Sequence, residues 1–156
     1  MHFMAGKAIR HLIALIVLFS LASVCAARDL AVVMDKKSAT AALSSPDLTK
    51  IFKGATAKWP DGRRVTVVLS RLDSPDMEMV LRKVYHLTAS QVLDLADAQK
   101  PAIVLVDSDE QVLRAVHADP GAIGIVNLYS INSEIRVLKI DDKLPLENGY
   151  LLHVSY

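Results

Sequence analysis

The chain has one cysteine, Cys25, and it lies in the N-terminal leader. Residues 28–156 therefore contain no disulfide and no thiol chemistry, and their fold rests on its core alone. Aromatic residues make up only 5% of the sequence, with a single tryptophan, Trp59. An excess of one charge is missing too: 18 Lys and Arg stand against 17 Asp and Glu. A near-neutral balance argues against a nucleic-acid partner, which calls for a basic surface. There is no internal repeat, low-complexity tract or linker. The one long apolar run is Leu12 to Val24.

That run follows Lys7 and Arg10 and precedes the small residues Ala26 and Ala27, the pattern of a cleaved secretory signal peptide. It falls short of the roughly 18–20 residues of a membrane-spanning helix, the rival reading. Bulky Val24 stands where lipid attachment at Cys25 needs a small residue. The expected organisation is a signal peptide over 1–27 and one periplasmic domain over 28–156, with no membrane insertion after cleavage.

Within 28–156, short continuous apolar runs alternate with amphipathic segments. Leu30–Met34, Val65–Leu69, Ile103–Val106, Ala122–Val126 and Ile135–Ile140 read as strands, the first of them buried on both faces. Ser45-Pro46 and Ser74-Pro75 each give a cap followed by proline at a helix start. The first helix carries Leu48, Ile51 and Phe52 and stops at Gly54; the second runs through Met77, Val80, Leu81 and Val84. Thr88 or Ser90 opens a third, and Ser108 a fourth that ends at Asp119-Pro120-Gly121. This alternation predicts an α/β fold with a parallel or mixed sheet flanked by helices. Trp59 sits in the loop between Gly54 and the Pro60-Asp61-Gly62 turn, where a large ring pins the loop to the core; ligand stacking is the rival role.

Catalytic and metal signatures are sparse. His86, His117 and His153 lack ligand spacing and read as solvated or core residues. Met77-Glu78-Met79 near His86 resembles a copper pattern, but Met77 and Val80 fit the helix's apolar face, so a packing or surface role is the better reading. No Gly-x-Ser-x-Gly elbow is present, and Gly121 and Gly124 belong to a turn and a strand rather than a phosphate loop. The expectation is a protein that is not an enzyme and holds no cofactor or metal.

Two motifs carry a family resemblance. Leu43, Leu48, Ile51-Phe52-Lys53-Gly54 and Trp59-Pro60-Asp61-Gly62 match an Ile-Phe-x-Gly, loop, Trp-x-Asp-Gly pattern, and Asp119-Pro120-Gly121-Ala122-Ile123-Gly124-Ile125-Val126 follows later. The stretch from Leu30 to Val126 resembles the substrate-binding proteins of phosphate ABC transporters, with Ile125 where that family has tyrosine. The resemblance implies a single lobe of a periplasmic binding-protein fold, type II-like. It further implies inorganic phosphate or a related oxyanion as ligand, and an ABC transporter or another periplasmic protein as partner. The alternative is a degenerate one-lobed interaction module that binds no solute.

The family's anion cradle is an arginine followed by Gly-Ser-Gly-Thr at a helix start, where backbone N–H groups, a hydroxyl and a guanidinium face the anion. The matching stretch here is Ser70-Arg71-Leu72-Asp73-Ser74-Pro75-Asp76. The resemblance thus offers Arg71 and Ser74 as ligand-binding candidates, and Ser38, after the first strand, is a third. The glycine before the serine is absent and Pro75-Asp76 replaces Gly-Thr, which removes a backbone donor and adds carboxylates. The other reading of the same residues is a Ser74 helix cap with Arg71 paired to Asp73 or Asp76.

Overall fold

A computed structural model describes residues 28–153. The signal-peptide assignment over 1–27 lies outside the described residues. The chain runs β1 (Leu30–Asp35), β2 (Ala42–Leu43), α1 (Ser45–Phe52), β3 (Thr66–Leu69), α2 (Pro75–Val80), a π-helical turn (Leu81–Tyr85), α3 (Ala89–Ala98), β4 (Ile103–Leu105), α4 (Asp109–Ala118), β5 (Ala122–Asn127), a short 3-10 turn (Leu128–Ser130), β6 (Ile135–Val137) and β7 (Lys139–Ile140). Among the described residues no helix is long and apolar enough to cross a membrane.

Five strands form a mixed sheet in the order β4-β3-β5-β1-β6. The pairs β3–β4 and β3–β5 are parallel, whereas β1 runs antiparallel to β5 and β6. Every residue of β1 is buried, because both sheet faces are covered. Leu30, Val32 and Met34 face α1, α2 and α3, while Ala31 and Val33 face α4. Gly124 belongs to the α4 face. A Cβ there would come within 2.6 Å of Val112 Cγ1, so glycine lets α4 lie close on the sheet.

Helix boundaries follow local chemistry. The α1 cap is Ser44, one residue before the expected Ser45: its Oγ accepts from Asp47 N–H, which leaves Pro46 in the first turn. The helix closes with Gly54 N–H donating to Ile51 C=O (3.0 Å) and Ala55 N–H to Lys50 C=O (2.9 Å). That double closure requires a left-handed residue, and Gly54 has φ +77°. Thr88, not Ser90, caps α3, reciprocally with Gln91. The run Ile135–Ile140 is two strands, because β6 pairs with β1 while β7 leaves the large sheet to pair in parallel with β2.

Trp59 is buried in the larger core, and its indole Nε1–H donates to Gly121 C=O at 2.8 Å. Gly121 C=O also accepts from Thr66 N–H at 3.2 Å, and a Cβ on Gly121 would meet Arg64 C=O at 2.3 Å. The two motifs of the resemblance therefore meet at one carbonyl.

Candidate functional site

The parallel strands β3, β4 and β5 end on one edge, at Leu69, Leu105 and Asn127. From that edge the chain leaves β3 toward α2 on one face and leaves β4 toward α4 on the other. Adjacent strands with diverging connections open a crevice beyond their carboxyl ends, the usual ligand position in an open α/β sheet. The segment leaving β3 carries Arg71 and Ser74, and the segment leaving β4 carries Asp107 and Ser108.

Ser74 has extended backbone (φ −81°, ψ 150°), and its Oγ accepts from Met77 N–H at 3.2 Å. Arg71 donates from Nε to Asp73 Oδ1 (3.1 Å) and from Nη2 to Asp73 Oδ2 (2.8 Å). The hydrogen bonds from Arg71 hold the Asp73 carboxyl below its usual range, and Asp73, with a smaller contribution from Asp107, raises the guanidinium. Both groups are exposed, so the pair adds little to stability. Asp76 faces Arg28 at 3.8 Å. Ser108 Oγ caps α4 by accepting from Gln111 N–H. Asp109 Oδ2 accepts from Asn127 N–H at 2.8 Å and so fixes the end of β5.

Ser38 lies elsewhere. The register pairs Leu30 with Asn127 and Met34 with Ile123, so β1 delivers Ser38 to the edge where β5 begins. Arg71 and Ser74 stand at the other edge, the length of β1 away, about 20 Å at ~3.3 Å per residue. Ser38 is buried in a turn: its Oγ accepts from Thr40 N–H (3.2 Å), and its C=O accepts from Arg136 Nη1 (2.9 Å). One crevice does not hold all three candidates.

Two buried carboxylates escaped the sequence reading. Asp29 and Asp35 bracket β1, and each meets a histidine Nδ1, Asp29 with His153 at 2.7 Å and Asp35 with His117 at 2.9 Å. Burial pushes the Asp35 carboxyl up. The Lys37 N–H, the His117 hydrogen bond and the His117 and Lys37 charges together outweigh it and hold the group below its usual range. Among the described residues no group of three or more His, Cys, Asp or Glu is arranged to hold a metal ion.

No protein-family model matches the sequence, and no curated protein is similar to it. Solved structures share the fold. An ABC-type phosphate transport receptor from Vibrio cholerae superposes with TM-score 0.65 at 18% identity, over 81% of this chain and 54% of that one. PstS from Borrelia burgdorferi gives 0.67 at 16% identity, over 83% and 55%. A phosphate-binding protein from Stenotrophomonas maltophilia gives 0.62 at 18% identity, over 76% and 40%. The chain spans about half the length of these proteins. Its fold, an open mixed sheet flanked by helices, is that of a single lobe of a periplasmic binding protein.

Proposed function

We propose that the chain is a periplasmic solute-binding-type lobe that presents a half-site for a tetrahedral oxyanion, inorganic phosphate first, and works with an ABC transporter or another periplasmic protein. The observation that carries this reading is the setting of Arg71. Asp73 takes the Nε–H and one Nη2–H, so the guanidinium is held in place, and its three other N–H groups have no partner among the described residues. Those three, with the Ser74 hydroxyl proton, form a donor set at the mouth of the β3–β4 crevice. Three carboxylates, Asp73, Asp76 and Asp107, oppose an anion there, each by ~1 kcal/mol at ~4 Å in water. One of them can accept the proton of a hydrogen phosphate. A single lobe also encloses only one side of a ligand. Binding by the isolated chain is therefore weak, with a dissociation constant of about 1 mM, or ~4 kcal/mol.

A second reading, a one-lobed protein-interaction module without solute binding, is favoured by Pro75, which has no N–H to offer, and by the Arg28–Asp76 pair beside it. Titration calorimetry with phosphate and with sulfate separates the two. On the first reading phosphate gives a measurable heat and raises the melting temperature at millimolar concentration. Arg71→Ala then weakens binding roughly tenfold or more, and Pro75→Gly, which restores a backbone donor, strengthens it. If wild type and Arg71→Ala respond identically to phosphate, the module reading stands. A micromolar constant on the monomer contradicts the half-site.

A further inference from the structure

A groove on the opposite edge of the sheet has a donor–acceptor pattern of its own. Strand β2 pairs with β7 through Lys139 N–H to Ala41 C=O and Asp141 N–H to Leu43 C=O, both 3.0 Å. In an extended backbone the polar groups of successive residues point to opposite sides. With Ala41 and Leu43 turned toward β7, the N–H and C=O of Ala42 point away from it. That side opens on a cavity of about 730 Å³ whose wall includes Leu43, Ile51, Trp59 and Pro60, and to which β7 contributes nothing. Ala39, Ala41 and Ala42 are exposed and carry only methyl groups, so no side chain screens the strand edge. Natural sheets normally cover or charge such an edge.

Carboxylates predominate around the groove. Asp47 and Asp61 line it, and a smaller adjoining hollow that shares Ala42, Leu43 and Asp47 adds Asp141 and Asp142. Among the described residues Lys58 is the only basic one lining either. The pairs Asp47–Lys50 and Asp61–Arg63, both at 3.7 Å, are exposed and hold their carboxylates weakly.

We propose that this groove is a docking site for an extended segment of a partner protein carrying basic residues, which adds a strand to the free edge of β2. Backbone bonds to Ala42 set the register, alternate apolar side chains lie on Leu43, Ile51 and Trp59, and lysine or arginine at the segment's ends meets the aspartates. The site is separate from the Arg71 crevice, and its occupant is a polypeptide rather than a solute.

Trp59, the only tryptophan of the chain, is a built-in reporter on the groove wall. The probe is a short synthetic peptide of alternating valine and threonine with lysine at both ends, followed by tryptophan fluorescence and by anisotropy of a peptide label. Expected are a saturable change in Trp59 emission, weakening with added salt, and weaker binding of a glutamate-ended control. A peptide N-methylated on alternate central residues loses the response. Ala42→Pro removes an N–H that has no bond to any other described residue and weakens binding roughly two- to tenfold; circular dichroism establishes that it folds, and the N-methyl peptide decides the matter if it does not. No emission change with the lysine-ended peptide, or equal binding of the N-methylated one, overturns the proposal. So does dimerisation of the protein abolished by Ala42→Pro, since the occupant is then a second copy.

Discussion

Replacing Trp59 with alanine tests whether one side chain secures the crossing from α1 to β3. The ring is 6% exposed and belongs to the larger core. Withdrawing ~150–250 Å² of ring surface from water at ~25 cal/mol per Å² is worth about 4–6 kcal/mol as an upper bound. Large-to-small aromatic substitutions in cores cost ~3–5 kcal/mol. The bond to Gly121 adds ~1 kcal/mol. Gly121 C=O is not orphaned by the loss, because Thr66 N–H still donates to it at 3.2 Å. Trp59→Ala should therefore cost ~3–5 kcal/mol, a large part of the ~5–15 kcal/mol that holds a domain of this size. The melting temperature should fall by roughly 10–20 °C. Trp59→Phe keeps most of the ring and forfeits the indole bond, so its cost should be roughly 1–2 kcal/mol. Both variants lack tryptophan fluorescence, so urea and thermal unfolding are followed by circular dichroism. A loss below ~1 kcal/mol for Trp59→Ala, with phosphate or peptide responses abolished, refutes the structural role and makes the ring a ligand contact.

The remaining predictions concern buried polar groups. Tyr85 is fully buried edge-on to Phe52, at 5.9 Å between ring centroids, and its hydroxyl has no hydrogen-bond partner among the described residues. Burial alone raises its pKa well above the ordinary phenol value, so Tyr85→Phe should leave packing unchanged and stabilise the fold by about 1 kcal/mol in urea unfolding. Asp35 contributes the opposite way. Its folded carboxyl is depressed, so its stabilisation is complete above the unfolded value of ~3.9 and is lost as pH falls through the lower folded value. His117→Ala removes one of the contacts that depress it, so the acid-unfolding midpoint should move to higher pH; an unchanged midpoint contradicts the pairing.

How far the sequence reveals this structure depends on the range of the interaction. Capping is local chemistry. Ser74, Thr88 and Ser108 were readable because each accepts from a backbone N–H three residues on. Even the slip from Ser45 to Ser44 is one residue in the same turn. Strand β2 was invisible because it has two residues, Ala42 and Leu43, and is held by a partner nearly a hundred positions away. The single apolar run Ile135–Ile140 hides a change of sheet for the same reason. The aspartate–histidine pairs are separated by 82 and 124 residues, and nothing near Asp29 or Asp35 in sequence announces a partner. The Arg71–Asp73 pair, two residues apart, was legible as one of two alternatives.

The two edges of the sheet explain why the resemblance speaks for the fold more strongly than for the ligand. The residues that carry it, Phe52, Gly54, Trp59 and Gly121, gather at the edge where β3 and β5 begin, and their contacts are with one another and with the core. They close α1, seat the loop and admit the close approach of Arg64. None of this constrains the far edge, where Arg71, Ser74 and Asp107 stand on exposed loops. A proline at the start of α2 and extra carboxylates can accumulate there without disturbing the Trp59–Gly121 contact, because the helix is still capped by Ser74 and anchored by Met77 and Val80. Such a chain can keep its architecture while the proposed anion half-site weakens. Its recognition chemistry can then rest on the other edge, where the β2 groove and its aspartates lie beside the same tryptophan that holds the fold.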